Sequence, residues 1–103
     1  MDLDDIFGAL SSVPRRQMLA FLSQTALSTT ELALRFSLSA PAVSRHLAVL
    51  QRAGLVVSER QGRSVLYRLN RDMLLAALAQ FASAVDGPLR RDSQAPRTPR
   101  EAI

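Results

Sequence analysis

The sequence predicts a mainly α-helical fold with one β-hairpin: four helices, two strands, then a fifth helix. Three observations carry this prediction. Ser39 to Gly54, SAPAVSRHLAVLQRAG, holds a helix start, a helix stop and one apolar stripe between them. The stretch ending at Phe36 opens on Ser28-Thr29-Thr30-Glu31, and only Ser37-Leu38-Ser39 separates it from the next helix. Leu55–Arg60 and Ser64–Leu69 are β-rich runs folded about Gln61-Gly62. Helix, short turn, helix and then a hairpin is the arrangement of a winged helix-turn-helix.

The first helix, α1, is expected over Leu3 to Leu10. Leu3, Ile6, Phe7 and Leu10 recur at i, i+3, i+4 and i+7, and the acids of the first turn suit the helix dipole. Ser11-Ser12-Val13-Pro14 ends it and opens α2, with Pro14 at or near the first helical position. That helix should bury Met18, Leu19 and Leu22. Arg15 and Arg16 stand at its start, where the dipole disfavours cations. At least one is expected to pair with an acid of the first helix; the alternative for the other is phosphate.

The third helix, α3, starts with a capping box, in which Ser28 and Glu31 satisfy the first free N–H groups. Leu32, Leu34 and Phe36 are its expected apolar surface. In α4, Ser39 is the N-cap and Pro41 lies in the first turn, where a missing N–H costs nothing. Val43, Leu47 and Leu50 form its buried stripe. Ala53-Gly54 stops it, Gly taking the left-handed conformation. In the hairpin, Val65, Tyr67 and Leu69 alternate with Leu66 and Arg68. Asn70 caps α5, which runs to about Asp86 and stops at Gly87-Pro88. The order is therefore α1-α2-α3-α4-β-β-α5. Residues 1–87 are expected to form one DNA-binding and dimerisation domain. Residues 88–103, with three Pro and four Arg, read as a flexible Arg/Pro-rich tail.

The chain has 103 residues, 48% of them hydrophobic, as expected of a single small folded domain. It has no cysteine, which excludes disulfides, thiolate ligands and thiol sensing. All 13 basic residues are Arg. No apolar run reaches membrane-span length and no secretory signal is evident, so a cytoplasmic location is expected. Charge is uneven. Residues 1–12 carry three Asp and no cation, whereas residues 15–71 carry nine Arg against Glu31 and Glu59, a net +7. A basic middle over α4 and the hairpin is the footprint of a nucleic-acid binder.

The face of α4 opposite its apolar stripe is small and polar with one long cation, so a base edge can approach it closely. Ser44 and Arg45 are the expected base readers. Ser39, Ala40, Pro41, Ala42 and the helix N-terminus complete the surface, holding phosphate or a thymine methyl. The hairpin tip, Arg60-Gln61-Gly62-Arg63, adds two cations for phosphate or the minor groove.

LSAPAVSRHLAVLQRAGLV followed by SERQGRSVLYRL resembles the winged helix-turn-helix of the ArsR family of bacterial repressors, and FGALSSVPRRQMLAFL resembles the segment that opens those domains. The likeness runs over residues 5–86. It implies a homodimeric, operator-binding transcriptional repressor, and within the family it is most similar to the metal-independent autorepressor branch. Many members release DNA on binding a metal ion, a metalloid or a reactive sulfur species. One family site uses Cys in a Glu-Leu-Cys-x-Cys pattern; here Glu31-Leu32-Ala33-Leu34-Arg35 puts Ala33 and Arg35 at those places. Another uses His and carboxylates on the last helix, which here has Asp72 and Asp86 about four turns apart and no His. The one His, His46, lies beside the Val43–Leu47–Leu50 stripe and reads as a hydrogen-bonded residue at the core edge. No metal site and no cofactor are expected. Constitutive autorepression, an organic ligand and a protein partner stay open.

No nucleophile-base pair and no Gly-rich phosphate loop is evident, so an enzyme is not expected. Two other classes compete with the repressor. A sequence-independent architectural DNA binder would show an aromatic or Lys-rich face. A winged-helix protein-interaction module would have no reason to keep Arg45, Arg60 and Arg63. The terminal helices carry the stripes Leu3–Ile6–Phe7–Leu10 and Leu74–Leu78–Phe81–Val85, more apolar surface than the small core can cover. Their pairing across a two-fold axis is the expected dimer interface, with double-stranded operator DNA as the other partner.

Overall fold

The computed structural model describes residues 1–86. Its helices are α1 (Leu3–Leu10), α2 (Val13–Leu22), α3 (Thr29–Phe36), α4 (Ala40–Arg52) and α5 (Arg71–Val85). Its strands are β1 (Leu27–Ser28), β2 (Val56–Gln61) and β3 (Ser64–Leu69). The Gly87-Pro88 stop and the tail over 88–103 lie outside the described residues.

Each helix begins where a side chain can take up its free N–H groups. Asp2 accepts from Asp4 and Asp5 N–H, Ser12 from Arg15, Ser28 from Glu31, Ser39 from Ala42 and Asn70 from Met73. The capping box is complete, Ser28 N–H donating in return to Glu31 Oε1 at 2.9 Å. Ser37 turns the chain between α3 and α4 at φ +52°. Gly54, at φ +79°, ends α4, and a Cβ there would press on Met73 at 3.1 Å.

The core is apolar throughout. Ile6, Met18, Leu32, Val43, Leu47, Leu50 and Leu55 are its largest sealed side chains, and no described charged or polar residue is buried with them. The α4 stripe lies at its centre. Ala77 is the one fully buried residue of α5; Met73 and Leu74 are partly covered, and the later turns stand clear.

Several expectations change. The sheet has a third strand, in the antiparallel order β1-β3-β2, with Leu27 opposite Tyr67 and Ser28 opposite Leu66. Two residues are too short to show a period, so β1 was not legible. Gln61 pairs with Ser64, which moves the turn by one residue to Gly62-Arg63. Gly62, at φ +61°, thus holds the first central position, where a II′ turn needs a glycine. Leu34 is 78% exposed, because α3 presents only Leu32 fully to the core. Arg15 and Arg16 do not pair with acids of α1. Arg15 donates to Ala9 O at 2.8 Å and Gly8 O at 3.3 Å, and Arg16 to Leu10 O at 2.6 Å. The corner brings these guanidinium groups to the negative end of the α1 dipole, whereas the acids sit at its other end.

Candidate nucleic-acid interface

With Val43, Leu47 and Leu50 turned inward, α4 leaves Ala40, Pro41, Ser44, Arg45, Ala48, Gln51 and Arg52 exposed. At about 100° per residue these share one arc of roughly 140°. Ser39 is exposed at its start. Ala42 is half-buried at the edge of this face, and its N–H is taken by Ser39 Oγ at 3.2 Å. Pro41 has no N–H. The start of α4 therefore offers phosphate little from its main chain, while the Ser39 hydroxyl hydrogen stays free to donate.

The hairpin is fastened at its base. Asn70 N–H donates to Leu55 O at 2.8 Å, and its side-chain amide donates to Gly54 O at 3.1 Å. Beyond Val56 every residue of β2 is exposed. Gln51 Nε2 on α4 donates to Ser58 Oγ at 3.3 Å, so Ser58 faces α4. Arg60, two residues on, shares that face. Gln61 lies on the other face, held by Glu59 at 3.1 Å. Arg63 projects from the turn, where it lines a shallow groove with Ser64, Val65 and the start of α3, Ser28 to Thr30. The structure thus sets Ser44, Arg45 and Arg60 on connected faces, puts Gln61 away from α4, and draws Ala42 toward the body.

Gln51 and Arg52 were missed in the sequence. Continuing the face by i+4 from Ala48 gives Arg52 and by i+3 gives Gln51. Nothing local signals the groove between Arg63 and the start of α3, because β1 creates it.

His46 lies on the flank of α4 toward the α1–α2 corner. Arg15 reaches its Nδ1 at 3.3 Å. A guanidinium can only donate, so Nδ1 accepts and the ring proton belongs on Nε2. Burial, then Arg15 and then Arg45, hold its pKa below the ordinary 6.5. Among the described residues no three His, Asp or Glu side chains gather as metal ligands would. No helix there is long and apolar enough to cross a membrane.

The faces expected to meet a partner differ between the terminal helices. On α5, Leu78, Phe81 and Val85 are 44%, 51% and 68% exposed, and Leu75, at 55%, extends the stripe. Leu74 is partly covered. On α1, Leu3, Phe7 and Leu10 are half-buried. Ile6 is 1% exposed and belongs to the subunit's own core, so it leaves the expected interface. Phe7 joins the two helices, meeting Phe81 edge-on at 5.5 Å.

Residues 12–58 match the family described as bacterial regulatory protein, arsR family. The chain is 31% identical over 72 residues to the transcriptional repressor SdpR of Bacillus subtilis, covering 70% of this chain and 80% of that one. The match spans about half the length of several other relatives. An ArsR-like transcriptional regulator from Rhodococcus sp. RHA1 is similar in structure at a TM-score of 0.73 and 34% identity, covering 81% of this chain and 77% of that one. The homodimeric winged helix-turn-helix DNA-binding domain Mb0332 of Mycobacterium bovis is similar at a TM-score of 0.67 and 25% identity, over 86% and 84% of the two chains.

Proposed function

Since the chain belongs to the arsR family of bacterial regulatory proteins, we propose that this transcription regulator, which is not an enzyme, is a homodimeric repressor that reads an inverted-repeat operator. The observation that carries the reading is the exposed face of α4, small around Ala40, Ser44 and Ala48 and cationic at Arg45 and Arg52. Such a face lets a helix sit deep in the major groove while Arg45 reaches a guanine edge. Arg60 and Arg63 on the wing supply phosphate or minor-groove contacts beside it.

The face of α5 supports the dimer. Leu75, Leu78, Phe81 and Val85 lie within about 120° of one helix face, and each is at least 44% exposed. A second copy covers this stripe best, with Leu3, Phe7 and Leu10 of α1 at its margin. The similar Mycobacterium bovis domain is itself homodimeric. Two α4 helices then face successive major grooves about 34 Å apart. Relief of repression requires no metal in this reading, because the resemblance puts Ala33 and Arg35 at the places of the family's Cys ligands and the last helix has no His.

Binding of the purified chain to its own promoter DNA and to random DNA, across a range of salt, tests the proposal. A repressor protects an inverted repeat and prefers it over random DNA by at least about a thousandfold. Equal affinity for both would make the protein an architectural binder, and no affinity for either a protein-interaction module.

A further inference from the structure

The recognition helix is held by apolar packing, whose driving force is non-directional and leaves small rotations and slides inexpensive. Two directional contacts complete its placement. Near its end, Gln51 reaches Ser58 of the wing at 3.3 Å. Near its middle, His46 meets Arg15 at 3.3 Å. Among the described residues this is the one side-chain hydrogen bond that joins α4 to another helix. The same guanidinium holds Ala9 O and Gly8 O at the end of α1, one turn or less from Phe7 and Leu10. A rigid planar fork with five donors suits this role better than a flexible ammonium.

We infer that Arg15 and His46 are positioning residues for operator reading, with the Arg15 guanidinium locking the angle of α4 to the end of α1 so that the dimer face and the reading face move as one body. The inference rests on the repressor reading above. Neither residue need touch DNA. Both act through Ser44 and Arg45, the two residues that precede His46 on α4. The charged side chains acting on the imidazole are Arg15 from α2 and Arg45 from its own helix, and α1 approaches it through the carbonyls that Arg15 holds. Protonation of the ring removes the acceptor for Arg15 and sets a third positive charge between two others. Acid should therefore undo the lock, although added positive charge by itself favours DNA in general.

The test compares operator with random DNA for the wild type, Arg15→Gln, Arg15→Lys, His46→Ala and His46→Asn at neutral pH and down through the His46 titration, which is followed in the free protein. His46→Asn keeps an acceptor close to the place of Nδ1 but cannot titrate. At neutral pH, Arg15→Gln and His46→Ala should lose about tenfold in operator affinity with little change on random DNA, and His46→Asn should recover most of that loss. On acidification the operator preference should fall in the wild type and stay constant in His46→Asn. Nitrogen chemical shifts of the free protein give a readout without DNA: His46 should carry its proton on Nε2, and its titration should move up toward the ordinary histidine range in Arg15→Gln. If the wild type shows no operator preference, the repressor reading fails. If the wild type reads the operator but all four variants discriminate as it does, or if the His46 titration ignores Arg15, the positioning role is wrong. Equal losses on both DNAs with a lower melting temperature would also overturn it, by reducing the pair to a stability contact.

Discussion

Replacing Phe81 with Ala removes the largest ring of the α5 stripe. Phe81 is 51% exposed in the single subunit. A phenylalanine buries roughly 150–250 Å² when fully covered, so roughly 100 Å² is left for a partner. At about 25 cal/mol per Å² this amounts to about 2.5 kcal/mol per subunit, counted twice across a two-fold axis. Ordering and imperfect fit offset part of this, so the dimer dissociation constant should rise by about a hundredfold to a thousandfold. Within the subunit the change removes the edge-on contact with Phe7, at a cost of about 1 kcal/mol, too little to unfold the domain. Sedimentation at a series of concentrations reads the dissociation constant, circular dichroism checks the fold, and footprinting reads occupancy of the inverted repeat. The variant should be a folded monomer at concentrations where the wild type is a dimer, and it should protect the repeat only at high concentration. A wild type that is monomeric at micromolar concentration, or a Phe81→Ala protein that dimerises as tightly as the wild type, would refute the reasoning.

Arg45→Ala should weaken operator binding by about 1–3 kcal/mol and leave random DNA much less affected; equal losses in a competition assay would make Arg45 a backbone contact. Arg60→Ala with Arg63→Ala should flatten the logarithmic salt dependence by about 1 per lost phosphate contact, and an unchanged slope would take the wing off the DNA. Thermal stability should carry a His46 signature. Because burial, Arg15 and Arg45 lower its pKa in the folded state, the unfolded chain takes up the proton first as pH falls. The contribution of the neutral ring is complete above the ordinary value of 6.5 and is lost as pH drops from there to the lowered one. Melting temperatures of wild type and His46→Asn should diverge across that window; parallel curves would contradict the shift. Zinc, nickel or arsenite in modest excess should neither raise the melting temperature nor release DNA, and a concentration-dependent rise would reveal a native-state site.

What the chain determined by itself is whatever is decided within a turn or two of backbone. The cap residues Ser28, Ser39 and Asn70, the Gly54 stop and the Val43–Leu47–Leu50 stripe stand where sequence reasoning puts them. Each depends on neighbours no more than about two helical turns away. The exposed face of α4, proposed above to read DNA, was legible for the same reason, as the complement of its stripe. Tertiary structure decided the rest. Ile6 turned inward while Phe7 stayed at the margin, because α1 packs along one edge of the core and periodicity alone does not say which edge. Arg15 and Arg16 chose carbonyls over carboxylates because the α1–α2 corner carries them to one end of α1 and leaves the acids at the other. β1 exists only because β3 passes beside it. The Arg15–His46 contact joins residues 31 positions apart. No local propensity encodes that meeting, since it depends on the angle at which one packed helix crosses another.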